Sequence, residues 1–246
     1  AERMAVNLAN GLAVDRFRAA LCTTRHEGVL AAEARPDIDQ FTLGRRRRRE
    51  DPAAVLRLAG YLRRNRIDVV HAHGTSLFIS AAACLLVPRT RLVWHDHLGA
   101  DPETRRPRLR AYRLACGQVD RLITVSRALA EWDERELGVP AATITTMPNF
   151  VVAEPPATPP TDLPGEPGLR IACVANLRAQ KDHLLLVDAL AQVVAAVPGA
   201  HALLLGAPVD PVVADAVRAR IEESGLSDHV HLLGTRSDVA AVLSAC

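Results

Sequence analysis

Two histidine pairs offer the densest chemistry in the sequence: His71-Ala72-His73 closes one apolar run and His95-Asp96-His97 closes another. Residues i and i+2 of an extended strand face the same way, so each pair aims two imidazoles into one space. Near neutral pH an imidazole can move a proton, hydrogen-bond a substrate or ligate Zn²⁺. Three readings stay open on the residues alone. At least one ring contacts substrate; or the rings cap strand ends by hydrogen bonding; or all four serve a metal-dependent hydrolase. The metal reading lacks a carboxylate–histidine companion, although Asp96 is near, and no metal ligand is assigned. A third such pair, His229-Val230-His231, lies on a strand of the other half and reads as structural.

The second constellation is Asn176-Leu177-Arg178-Ala179-Gln180-Lys181-Asp182, which follows an apolar run and opens a helical stretch. A strand-to-helix turn with cationic side chains and free N–H groups suits a phosphate. Lys181 supplies a compact ammonium and Arg178 a bidentate fork. Lys181 is also the only lysine beside 29 arginines, which favours a specific use for it. The plain alternative is a solvated turn capped by Asp182. No GxGxxG and no GxxxxGK[ST] occurs, so neither a nicotinamide site nor a P-loop is supported. Five consecutive arginines at 45–49 form a candidate contact for anionic lipid headgroups, against a solvated basic loop.

These residues need elements to hold them. Strands are expected over 18–22, 38–43, 68–71, 91–94, 121–125, 169–174, 201–205 and 229–233. Helices are expected over 51–66, 76–87, 105–117, 126–137, 182–197, 211–224 and 237–245. The alternation means βαβ units and parallel sheets with helices on both faces. Runs such as IDVV and HALLL fit strands buried on both sides. Asp51-Pro52 and Ser126 have the form of helix N-caps, and Gly138 and Gly225 stand where helices end. In such sheets ligands bind beyond the carboxyl ends of the strands, where both constellations fall.

The 246 residues are 49% hydrophobic and 24% charged, with only 3% aromatic, so alanine, valine and leucine must build a globular core. A net charge of +2 gives no global sign of nucleic-acid binding. The five cysteines are scattered without a CxxC, which reads as reduced thiols in a cytoplasmic protein. The longest apolar run, 77–87, is too short to span a bilayer, and no signal-peptide pattern is present. Residues 154–168, EPPATPPTDLPGEPG, hold six prolines and read as a semi-rigid linker. The expected domains are therefore 1–153, a Rossmann-like unit, and 169–246, a partial one, joined by 154–168.

Four stretches carry a resemblance. IDVVHAHGTS at 67–76, DRLITVSRALAEW…LGVPAATITTMPNF at 120–150, IACVANLRAQKDHLLLVDALAQV at 171–193 and HALLLGAPVD…SGLSDHVHLLGTRSDVAAVLSAC at 201–246 follow one another in order. In this the chain resembles glycosyltransferase family 4, retaining sugar-nucleotide enzymes of the GT-B fold. The resemblance implies two Rossmann-like domains, the second incomplete here, and metal-independent transfer without a cofactor. It implies a nucleotide-sugar donor and a sugar or lipid-linked acceptor of cell-envelope or polysaccharide type. Carried over by motif position, Lys181 would bind the donor diphosphate. Asn176 stands where the family often has arginine, a loss that Arg178 would offset. Gly206, Thr235 and Arg236 would approach the nucleotide. His97 would lie by the donor sugar and reaction centre, and His73, with His71 beside it, would line the acceptor side. Phe150 replaces the usual glycine of the family's "pNG". The family's glycine-rich loop would precede Ala1 and its E-x7-E glutamate pair would follow Cys246, so the expectation is a piece of a hexosyltransferase with little turnover of its own. A non-catalytic GT-B-like binding subunit is the rival reading. Peripheral contact with the inner face of the membrane through 45–49 completes the expectations.

Overall fold

Every ladder among the described residues is parallel, as short apolar runs separated by helices require. A computed structural model describes residues 1–26, 28–46, 51–97, 106–152, 160 and 162–246. The chain divides into two units, Ala1–Val152 and Ala153–Cys246.

The N-terminal unit opens with α1 (Glu2–Gly11), β1 (Ala20–Thr23) and β2 (Asp39–Thr42). It continues through α2 (Pro52–Arg64), β3 (Val69–His73), α3 (Leu77–Leu85), β4 (Arg91–Asp96) and α4 (Leu109–Cys116). It closes with β5 (Arg121–Thr124), α5 (Arg127–Trp132) and β6 (Ile144–Thr146). β1 and β2 pair with each other, and a second sheet has the order β3-β4-β5-β6. Local chemistry sets the helix starts. The Asp51 carboxylate accepts the Ala54 N–H at 3.0 Å ahead of Pro52, and the Ser126 hydroxyl accepts the Leu129 N–H at 3.3 Å. Gly138, at φ +72°, ends the stretch after α5 as an αL residue.

One core serves this unit. Trp94, Leu77, Leu92 and Leu122 are fully buried and interleave with Ala54, Ala72 and Ala83. With so few aromatics, Trp94 fills the volume that the alanines leave. Its indole N–H donates to the Gly74 carbonyl at 3.0 Å. That bond anchors the turn after β3, where Gly74 adopts φ +55°, a conformation that disfavours a side chain.

In the C-terminal unit β7 (Arg170–Val174), α6 (His183–Ala196), β8 (His201–Leu205), α7 (Pro211–Glu223), β9 (Val230–Gly234) and α8 (Val239–Ser244) follow in turn. The sheet order is β7-β8-β9. β8 is central, and Ala202, Leu203, Leu204 and Leu205 are all buried, as a run covered on both faces should be. The Arg170 guanidinium donates to the carbonyls of Leu163, Pro164 and Gly165, and Leu163 is buried against Leu203, Leu205 and Val242. Residues 162–168 of the proline-rich stretch are thus packed onto this sheet, whereas 154–159 and 161 lie outside the described residues.

Several expectations shift. β3 and β4 run two residues further than 68–71 and 91–94 suggest, ending at His73 and Asp96. IDVV is not covered on both sides: β3 is an edge of its sheet, and Val69 is 53% exposed. The helix expected over 126–137 is α-helical only to Trp132 and continues as a π-turn, Asp133–Leu137. Among the described residues no helix is long and apolar enough to cross a membrane.

Candidate functional site

β3 and β4 lie side by side with His73 opposite His95. Alternation puts His71, His73, His95 and His97 on one face of this pair and Trp94 and Asp96 on the other. The four rings form a stack. His95 lies 5.4 Å from His71, 5.1 Å from His73 and 4.1 Å from His97, centroid to centroid; His71 and His73 are 4.6 Å apart. His73 Nδ1 and His97 Nε2 share a proton across 2.9 Å. His71 Nε2 and both nitrogens of the fully buried His95 have no hydrogen-bond partner among the described residues. Burial, and then repulsion from the neighbouring rings, holds His71 down to about 4 and His73 to about 2. Burial and the charge of His95 hold His97 at about 4, against the opposing pull of the Asn149 amide. His95 is lowered as well, mainly by burial. The cluster is therefore neutral at pH 7 and can donate, accept or ligate, but carries no fixed charge there.

The sequence pattern brings His71, His73 and His97 together as expected, with strand rather than loop backbone beneath His73. His95 sits at the centre of the stack, although the resemblance gave it no role. The alternation of the second H-x-H with the buried Trp94 was the signal that could have placed it. Asn149, whose amide works to raise His97, stands in the MPNF stretch that carries part of the resemblance but was given no role there.

The second constellation sits at the carboxyl edge of the C-terminal sheet. Val174, Leu205 and Gly234 end their strands at one level: the Ala175 N–H donates to Leu205 O at 2.9 Å and the Gly206 N–H to Gly234 O at 2.8 Å. Three loops therefore leave the sheet together, carrying Asn176 to Lys181, Gly206, and Thr235 with Arg236. Gly206 is glycine because the backbones touch there; a Cβ would lie 2.1 Å from Ala175 O. Asn176 braces this junction, its Oδ1 accepting the Ala207 N–H at 2.9 Å. Arg178 lines an open pocket of about 360 Å³ with Gln180, Val209 and Asp210. Lys181 closes the short 3₁₀ turn Ala179–Lys181, is exposed, and forms no ion pair with any described residue. It remains within electrostatic reach of Cys173 on β7, where it works against the upward push of burial on the thiol.

Two details depart from the phosphate-turn expectation. The Asp182 carboxylate occupies the start of α6, accepting the Leu185 N–H at 3.4 Å from a backbone at φ +47°. That N–H is therefore not open to a ligand. Arg236 is held by Asp238 through two bonds of 2.8 and 2.6 Å. Cationic reach at this edge falls to Lys181 and Arg178. His183, beneath the turn, is buried with neither ring nitrogen bonded among the described residues; its position inside an apolar helix start hid it. Of the arginine run 45–49, only Arg45 and Arg46 are among the described residues.

Several solved structures share this architecture. One is HepE of Anabaena with UDP and glucose bound, at 22% identity and a TM-score of 0.77, over all of this chain and 68% of that one. A second is a glycosyltransferase from Rickettsia africae, at 15% and 0.70, covering 99% and 67%. A third is sucrose-phosphate synthase from Thermosynechococcus elongatus, at 16% and 0.69, covering 98% and 66%. These likenesses show the fold: GT-B, with Rossmann-like α/β units, the second carrying three strands among the described residues. No curated protein matches the sequence. A family model described as Glycosyltransferase Family 4 matches residues 1–154, more than half of the molecule. The chain belongs to glycosyltransferase family 4.

Proposed function

We propose that the chain takes part in retaining transfer of a hexosyl group from a nucleotide-sugar donor to a sugar or lipid-linked acceptor. The donor lies across the carboxyl edge of β7, β8 and β9. Lys181 and Arg178 neutralise the charge that grows on the departing diphosphate; preorganised cations at that point lower the barrier without a metal. Gly206 keeps the loop after β8 tight against Ala175 where it borders the nucleotide, with Thr235 beside it, and Asn176 keeps the two loops in register. Arg236 reaches a phosphate by exchanging its Asp238 partner. In the N-terminal unit His97 is the ring that the resemblance assigns to the reaction centre and His73 and His71 are the acceptor-side rings, all neutral and able to hydrogen-bond hydroxyl groups.

The observation that carries this reading is the convergence of three loops at a glycine-tight junction beside the sole lysine, an ammonium without an ion pair among the described residues. The UDP and UDP-glucose bound in HepE support the choice of donor class. The reading is tested by thermal shift with UDP, ADP and GDP. One of them should raise the melting temperature of the intact chain. No shift with any nucleoside diphosphate would overturn it. Membrane contact through 45–49 is tested by cosedimentation with vesicles, where equal pelleting with neutral and anionic lipid would remove it.

A further inference from the structure

A buried nitrogen without a partner is costly, and native proteins rarely keep several together without a reason. Among the described residues the face of β3 and β4 keeps four, His71 Nε2, both nitrogens of His95 and His97 Nδ1. One ring nitrogen from each of His71, His73 and His95 lies within 4.8 Å of the other two. A hydrogen-bonding substrate would satisfy such atoms singly; one electrophilic centre would take His71 Nε2 and one nitrogen of His95 together, with His73 as a third donor.

The arrangement has a supporting partner as well. His73 turns Nδ1 to His97 Nε2 at 2.9 Å, which leaves its Nε2 as the free lone pair. Metal-bound histidines commonly donate their second N–H to a neighbour, which fixes tautomer and ring orientation. The donor set is three imidazoles with no carboxylate in the group. That set suits borderline ions such as Zn²⁺ and Co²⁺ and disfavours Mg²⁺ and Ca²⁺. A tetrahedral ion with bonds of about 2.0–2.1 Å needs nitrogens roughly 3.4 Å apart; the nitrogens close by up to about 1.5 Å, and the stacked rings turn so that their lone pairs meet at one centre.

The geometry points to a binding site for one zinc-class divalent ion held by His71, His73 and His95, with His97 as the positioning residue behind His73. Three protein ligands leave a fourth position for water or an anionic oxygen. The site belongs to the N-terminal unit alone and shares His71 and His73 with the acceptor reading above; an ion held there would offer its fourth position, in place of the two rings, to a hydroxyl group.

The test is a cobalt titration of the full chain, read by the intense visible bands of four-coordinate Co²⁺, followed by competition with Zn²⁺. One equivalent should bind with four-coordinate intensity and be displaced by one equivalent of zinc. His95 is enclosed, so the variants are His71→Gln and His73→Gln, checked for folding by circular dichroism; each should weaken binding about 100-fold or more. His97→Ala should weaken it about 10-fold and leave the bands in place. His201→Gln, on β8 of the C-terminal unit with its ring stacked on His231 at 5.3 Å, should change nothing. Less than stoichiometric binding by the wild-type chain, a weak six-coordinate spectrum, or bands that survive both ligand variants and vanish in His201→Gln would each overturn the inference.

Discussion

Lowering the pH from 7 to 5 should destabilise the N-terminal unit specifically, because its histidine stack must be charged to follow the solvent. Free histidine titrates near 6.5. In the fold, His71 and His97 are held at about 4 and His73 at about 2. Between those values and 6.5 the unfolded chain binds more protons than the folded one, so stability rises with pH across this window. The contribution is complete above about 6.5 and is lost as the pH falls toward the folded values. At pH 5 each ring costs about 2 kcal/mol relative to pH 7. Three rings sum to about 6, and their partial access to water reduces this to about 3–5 kcal/mol. That is a large share of a domain stability of roughly 5–15 kcal/mol. Asp37 and Asp51, lowered mainly by their hydrogen bonds to Arg35 and to the Ala54 N–H, lose their contribution at lower pH and leave the window clear. The assay is urea unfolding followed by tryptophan fluorescence, with chelator present. Trp94 and Trp132 are the only tryptophans and both are buried in this unit, so the signal reports on it alone. The wild-type midpoint should fall between pH 7 and pH 5, and the double variant His71→Asn, His73→Asn should lose more than half of that dependence. Equal midpoints at the two pH values, or a double variant with the full dependence, would refute the reasoning.

Three other perturbations follow from packing. Gly206→Ala forces a Cβ against the Ala175 carbonyl, and should cost at least about 1–3 kcal/mol in chemical denaturation and abolish any nucleotide-induced thermal shift. Trp94→Ala empties the centre of the N-terminal core and strands the Gly74 carbonyl; a loss of about 3–5 kcal/mol in urea unfolding is expected, whereas Trp94→Phe should lose much less. Ser126→Ala removes the cap on α5 and should lower stability by about 1 kcal/mol, with Ser126→Asp restoring most of it.

Much of the fold was legible because its signals are local. Asp51-Pro52, Ser126, Gly138 and Gly225 punctuate helices through their own backbone chemistry, and each stands where the structure caps or turns. HALLL declared a central strand through its unbroken apolar run. The misses depend on partners distant in sequence. Ile144–Thr146 is a three-residue strand between prolines and exists only because β5 supplies its ladder. β3 and β4 extend through polar histidines because each supplies the other's hydrogen bonds, which no propensity reveals. At the sites, residue type and spacing identified the rings and the lone lysine. They could not show that Arg236 is committed to Asp238, that Asn176 braces a loop, or that His183 lies buried beneath the turn. Those facts depend on which side chains the tertiary structure brings within a few ångströms.

The central claim is that the carboxyl edge of the C-terminal sheet grips a diphosphate through Lys181. Calorimetric titration of the best nucleoside diphosphate, with its monophosphate as comparison, tests it most directly in the wild-type chain and in Lys181→Ala. A charge-assisted hydrogen bond contributes about 1.5–3 kcal/mol, so diphosphate affinity should fall about 10- to 100-fold while monophosphate affinity changes little. Equal diphosphate affinity in the two proteins would contradict the account.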